Sequence, residues 1–205
     1  MSVPDAIAIP LAGVLCRGSR VELGWPEEHE FDAMTILRNR PHIRNRFLDP
    51  RPLDLVANRT WLRTGMKRPE EGLLAIRLRD NGAFCGMIGW SHWDPAERTI
   101  ELGRLVVDAA RVRRDRAAGR DGYPGIAVDA GTTLRDWAFT HFRLAVMRSV
   151  YIGDNAPSAR VHRLAHGRVV RSEQVTRRDG SVVCLTRVEL RRDEWLALQE
   201  NAVHD

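Results

Sequence analysis

The chain has 205 residues, 43% hydrophobic and 29% charged, enough apolar material for one domain with its own core and too little for two domains of ordinary size. A formal charge of +5 points to an anionic partner, nucleic acid or a phosphorylated small molecule, or else reflects an arginine-rich solvated surface. Cys16, Cys85 and Cys184 lie far apart without C-x-x-C spacing, which argues against a metal site and for a reduced, cytoplasmic protein.

Residues 1–18 carry little pattern and read as a loosely held arm with at most one short strand; residues 19–205 form the domain proper. The apolar stretch at 7–16 contains Pro10, has no basic region before it and is too short to span a bilayer, so a soluble protein with no membrane partner is expected. Val21 and Leu23 alternate with polar neighbours, giving a first strand at 20–25 that Pro26 ends. A helix is expected at 27–37, with Phe31, Met34 and Leu37 on one face, stopped because Pro41 disfavours helical backbone at Arg40. A short turn or helix at 42–48 brings Arg44, Arg46 and Phe47 together. A second helix follows at 53–62, with Leu53, Val56, Trp61 and Leu62 as its apolar residues.

Strands at 72–80 and 83–93 meet through Asp80-Asn81-Gly82, a strong hairpin signal because Asn and Gly tolerate positive φ. The strand at 98–108 places Glu101, Gly103, Leu105 and Val107 on one face and Ile100, Leu102, Arg104 and Val106 on the other by strict alternation. A charged loop at 109–121 leads to a helix at 126–142, whose stripe is Ile126, Ala130, Leu134, Trp137 and His141. The apolar strand at 144–152 then runs parallel to the one before the helix, as a βαβ crossover requires. A short helix at 155–165, two strands at 168–176 and 181–190, and an amphipathic tail at 193–198 complete the chain. The order β-α-α-β-β-β-α-β-α-β-β predicts an α/β (α+β) domain: one mixed, mostly antiparallel sheet flanked by helices on both faces. Gly122 and Gly125 sit where a loop enters a helix, and such helix N-termini hold phosphates through free backbone N–H groups.

Over residues 18–190 this pattern resembles the GNAT superfamily of acyl-CoA-dependent N-acetyltransferases. The run RGSRVELGWPEEHEFDAMTILRNRPHIRNRF, with Leu37-Arg38-Asn39, Ile43-Arg44 and Phe47, is similar to the branch containing ribosomal-protein N-terminal and nucleotide-amino-sugar N-acetyltransferases, as is Trp61 late in the second helix. The resemblance places Gly125-Ile126-Ala127 at the family's G-x-A acyl-CoA motif and Asp129-Ala130 at its Glu-Ala, with acetyl-CoA as cosubstrate and no metal. It implies that Leu105, Val106 and Val107 border the acyl-CoA. The family's basic or Gln residue falls on Gly122, and the loop is longer than the family's; Arg113, Arg120 and Tyr123 are the candidates there for the pyrophosphate or 3′-phosphate. The same loop also reads as an exposed insertion. Asn155-x-x-Ser158 is similar to the family's N-x-x-S, which implies contact of Asn155 with the pantetheine arm and of Ser158 near the thiol; Asn155 also reads as an ordinary helix N-cap. Arg163-Leu164-Ala165-His166-Gly167 departs from the family's Glu-Lys-Leu-Gly-Phe, and the helix holds no tyrosine to serve as general acid.

The implied chemistry is attack of an amine on the thioester. A backbone N–H near Val106 and Val107 would polarise the carbonyl. Glu101, a carboxylate in an apolar strand, is the candidate base, unless it pairs with an arginine of the N-terminal helices; His92 is the next candidate. Ser158 or water would protonate the thiolate. Arg38, Asn39 and Arg44 border the acceptor and hold an anionic group or merely pin the helices. Trp90 and Trp93 line the acceptor pocket or belong to the core. The acceptor would be a primary amine of a small molecule, an amino sugar or a protein N-terminus. The reading from a different class is a non-catalytic acyl-CoA-binding or basic nucleic-acid-binding module. Nucleic acid is disfavoured because the arginines lack aromatic interleaving. The oligomeric state stays open, a homodimer included.

Overall fold

The computed structural model describes residues 9, 12–64, 67–68, 70–110 and 125–202. Among them, the strands are β1 (Val14–Arg17), β2 (Val21–Gly24), β3 (Lys67–Arg68), β4 (Glu71–Leu78), β5 (Phe84–Asp94), β6 (Thr99–Val107), β7 (Val146–Ile152), β8 (Arg168–Thr176) and β9 (Val182–Arg191). The helices are α1 (Phe31–Asn39), α2 (Pro41–Arg44), α3 (Leu55–Thr64), α4 (Ile126–His141), α5 (Ala156–Leu164) and α6 (Arg192–Ala202). The strands form one sheet in the order β1-β2-β4-β5-β6-β7-β9-β8, with β3 paired to β4. Every pairing is antiparallel except β6–β7, the crossover that α4 bridges. The predicted fold class is the observed one.

Each face of the sheet buries its own apolar cluster. On one face Val21, Leu23, Leu74, Ile76, Ile88, Ile100 and Leu102 meet Ile126, Ala130, Leu134, Ala138 and Phe139 of α4 and Trp195 of α6. The other carries a smaller cluster: Phe31, Met34 and Leu37 of α1 and Leu62 of α3 against Leu73, Met87 and Val106. The α1 stripe is the expected one, but α1 begins at Phe31 because residues 27–30 form a capping box over a single 3-10 turn, with the Glu30 carboxylate accepting from Glu27 N–H at 2.8 Å. Arg77 then grips Glu30 through two hydrogen bonds of 2.8 and 2.6 Å, with Glu30 only 3% exposed.

Of the finer expectations, two need correction, those for α3 and for the faces of β6. The one short strand allowed for in the arm before residue 18 is present: Val14–Arg17 pairs with β2. The Asp129 carboxylate on α4 accepts from the amides of Ser19, Arg20 and Val21 at 3.0, 2.8 and 3.0 Å, which staples the β1–β2 turn to the helix. The second helix runs over Leu55–Thr64 rather than 53–62; Leu53 before it and Val56 within it are exposed, because the helix meets the sheet through its C-terminal turns, by Trp61 and Leu62. Finally, the faces of β6 do not alternate throughout. The register with β5 shifts between Gly89↔Gly103 and Met87↔Val106, and Arg104 at that shift has φ +55°. This is a β-bulge, and one extra residue reverses the alternation beyond it. Leu105 and Val107 therefore pack with the Ile100 and Leu102 cluster, while Val106 joins the α1 cluster.

Candidate active site

The bulge matters because it sits where the sheet opens. β6 and β7 pair only at Thr99↔Val146, Ile100↔Met147 and Glu101↔Arg148. Past these the ladder stops and a cleft of ≈ 430 Å³ begins between the strands. Ser149 Oγ, buried, donates to Leu102 C=O at 2.7 Å at the mouth of the split. Asp108 N–H donates to Cys85 C=O at 2.8 Å, in register with the Met87↔Val106 pair. Alternation along an antiparallel ladder then turns the amide of Val106 toward β5 and those of Leu105 and Val107 toward the split. A strand edge with free donors is thus offered to whatever enters.

Glu101, Leu105, Asn155, Ser158, Arg38 and His92 all line this cleft. Glu101, half-buried, has no ion-pair partner among the described residues, so the arginine pairing expected as its alternative does not occur there. His92 is exposed and lies at a second register shift, with φ +54°. It and Arg104 are the two positive-φ side chains on the cleft wall, and backbone held in such sparsely populated conformations tends to gather at functional sites. Asn155 is the N-cap of α5, with its Oδ1 accepting from Ser158 N–H at 3.3 Å, so the capping role is observed and Ser158 is fixed facing the cleft.

Other candidates sit elsewhere. Trp90 reaches the cleft only as part of its floor. Its ring is 1% exposed, lies over Gly72, and has centroids 5.8, 5.5 and 5.9 Å from Trp25, Trp137 and Phe142, which makes it a core residue. Asn39 is engaged with the backbone of Leu53 on both sides of its amide, at 2.8 and 2.7 Å, and pins the segment before α3. Val106 and Ile126 are buried. Gly125 is the N-cap of α4 at φ +128°, a conformation reserved in practice for glycine. Among the described residues no atom lies within 4 Å of where its Cβ would be. Arg113, Arg120 and Tyr123 lie outside the described residues.

Sequence reasoning missed His162, Ser149 and Tyr151. His162 projects from α5 into the cleft, its Nε2 is 3.4 Å from Ser149 Oγ, and it stacks on Tyr151 with centroids 5.3 Å apart. Burial pushes its imidazole down to about 4, so it is neutral at pH 7. The signal was present in the sequence: His162 lies one helical turn beyond Ser158, hence on the same face of α5. On the α1 side, burial pushes the Arg38 guanidinium down to about 10, with Asp49 opposing and Arg44 adding to the shift; it stays charged at pH 7. No helix among the described residues is long and apolar enough to cross a membrane.

The same architecture occurs in solved structures. A GCN5-related N-acetyltransferase from Brucella melitensis superposes with a TM-score of 0.72 at 17% identity, covering 93% of this chain and 84% of its own. A ribosomal L7/L12 alpha-N-protein acetyltransferase in complex with coenzyme A gives 0.72 at 12%, covering 89% and 99%. A spermidine N-acetyltransferase from Vibrio cholerae, in complex with CoA and spermine, gives 0.71 at 13%, covering 87% and 99%. At such identities the likeness speaks for the fold alone. No curated protein matches the sequence. The description of the acetyltransferase (GNAT) domain matches residues 20–167, most of the chain and the whole span from β2 through α5. On that match, the chain belongs to the GNAT acetyltransferase family.

Proposed function

We propose that the protein is an N-acetyltransferase that moves an acetyl group from acetyl-CoA to a primary amine by direct attack. The observation that carries this reading is the split between β6 and β7: a cleft toward which the amides of Leu105 and Val107 turn, with Glu101, which has no ion-pair partner among the described residues, at its wall. The residues fit the cosubstrate. Among the described residues, no atom lies within 4 Å of a Cβ at Gly103 on the cleft wall or at Gly125 at the α4 N-terminus, which suits a ligand lying along both. The N–H groups at the start of α4 suit a pyrophosphate. Asn155 and the β6 edge suit the amides of a pantetheine arm.

Acetyl-CoA supplies a thioester whose carbonyl carbon is the electrophile. Leu105 N–H, turned toward the cleft, is placed to hold the carbonyl oxygen as it gains charge. Glu101 takes the proton of the amine, directly or through a water, as the N–C bond forms. When the C–S bond breaks, the thiolate needs a proton, and Ser158 and the Ser149–His162 pair are the groups on that side of the cleft. Neutral His162 presents an N–H or an acceptor according to its tautomer.

The test combines binding and turnover. CoA and acetyl-CoA are expected to raise the melting temperature, since a ligand at a hundredfold its Kd stabilises the native state by about 2.7 kcal/mol. Thiol release from acetyl-CoA should then appear with at least one class of amine and fall sharply in Glu101→Gln with CoA binding intact. Absence of any shift with CoA would sink the proposal. A shift without thiol release for any amine would leave a binder, the non-catalytic reading.

A further inference from the structure

The acetyl-transfer chemistry leaves one set of groups unused. On the α1 side of the cleft, Nη1 of Arg38, Nη1 of Arg104 and Nε of Arg44 are buried without a hydrogen-bond partner. Buried cationic donors with nothing to bond are costly and call for an occupant. Arg38, 9% exposed, is held in one orientation: its Nη2 donates to Asp49 C=O at 2.8 Å and its Cζ lies 3.6 Å over the Phe47 ring. Nη1 is what remains. Arg104 pairs through Nη2 with Glu71 and has its Cζ 5.6 Å from the Trp61 ring centroid.

Both arginines line the main cleft, and both also line a second cavity of ≈ 400 Å³ walled by Met34, Trp61, Leu73 and Met87. They therefore stand where the two cavities join. The nearby acids do not answer them fully. Glu71 is taken by Arg104, Asp49 by Arg51, and Asp154 by Arg46.

We propose that the acceptor is an amine that also bears an anionic group, a carboxylate or a phosphate, received by the unpartnered donors of Arg38 and Arg104, with its apolar body in the Met34–Trp61–Leu73–Met87 cavity and its amine toward Glu101. Guanidinium forks match the geometry of both anions. A polyamine would set cationic groups against two guanidinium groups and is a poor acceptor on this account. The proposal rests on the acetyltransferase reading for the identity of the site.

Calorimetric titration of the CoA-loaded full chain with matched amines decides it: phenylalanine against phenylalaninamide, phosphoethanolamine against ethanolamine, and spermidine as the polycation. The anionic member of at least one pair should bind at least about tenfold more tightly than its neutral partner, and the two pairs separate carboxylate from phosphate. Arg38→Gln should abolish that preference with CoA affinity unchanged, and Arg38→Lys should retain part of it. Equal or tighter binding of the neutral amines or of spermidine would overturn the proposal, as would no binding of either anionic amine. A preference that survives in Arg38→Gln would overturn it too. Should Arg38→Gln fail to fold, the wild-type pairs and Arg38→Lys still decide. The same titrations without CoA keep the two readings apart: an anion preference in a chain with no affinity for CoA would refute the acetyltransferase and leave the anion site standing.

Discussion

The two faces of the sheet are finished to different standards. Under α4 and α6, aromatic and aliphatic side chains fill the space: Trp25, Trp90, Trp137 and Phe142 pack ring to ring, and Phe139 stacks on Trp195 at 5.0 Å and 7°. Under α1 and α3, a smaller apolar cluster shares its face with arginines, the second cavity, one wall of the cleft and orphaned guanidinium donors. Even the cations of that second face divide. Arg77 is held through Nε and Nη2 by Glu30 and the Trp25 carbonyl, whereas Arg38 keeps a buried nitrogen without a partner among the described residues. A satisfied buried charge belongs to the scaffold; an unsatisfied one beside a cavity points to something that binds.

Substitutions across the two faces sharpen that contrast. The largest expected effect is Trp90→Ala on the filled face, which should cost about 3–5 kcal/mol in chemical denaturation, as for buried aromatics generally. A near-neutral Trp90→Ala with weakened acceptor binding would instead return Trp90 to the acceptor pocket. Arg77→Met should cost about 3 kcal/mol by the same measurement, because it strands the buried Glu30 carboxylate. Next comes a pH effect at the cleft. His162 is depressed in the folded state to about 4, so the unfolded chain binds the extra proton between that value and the ordinary histidine range near 6.5. Stability from this group is complete above pH 6.5 and lost as pH falls toward 4, by up to about 3 kcal/mol at about 1.4 kcal/mol per pKa unit. Denaturant melts of His162→Gln should show a flatter slope in that window; an unchanged slope would contradict the burial. The smallest effect is Arg38→Met. Replacing a buried, half-satisfied charge by an apolar side chain should leave stability within about 1 kcal/mol of wild type or raise it. A loss comparable to that of Arg77→Met would erase the distinction between the two arginines.

The filled face was readable from sequence because burial leaves a period. The stripe Ile126, Ala130, Leu134 and the alternation of Val21 with Leu23 need no partner to be seen. The Asn81-Gly82 turn was likewise local: Gly82 takes φ +67° as the hairpin requires. The cleft was only half legible. Glu101, Asn155, Ser158 and Arg38 were found one at a time, but their meeting depends on where β6 and β7 part. That parting goes with a bulge at Arg104, a residue whose sequence context looks like an ordinary strand. Strict alternation therefore put Leu105 and Val107 on the wrong face. His162 was passed over because its meeting with Ser149 and Tyr151 depends on how α5 packs against β7, which no local period shows. Asn39, grouped with Arg38 by adjacency, turned out to bond the backbone of Leu53, since neighbours on a helix point in different directions.

Gly103 offers the most direct test of the claim that the split beside β6 is where acetyl transfer occurs. It lines the cleft, and among the described residues no atom lies within 4 Å of where its Cβ would be. Gly103→Val therefore adds bulk to the cleft without displacing packed atoms, and valine suits a strand better than glycine. Thiol release from acetyl-CoA should fall to background in this variant while its melting temperature holds or rises. Full thiol release from a folded Gly103→Val protein would show that the chemistry takes place somewhere else.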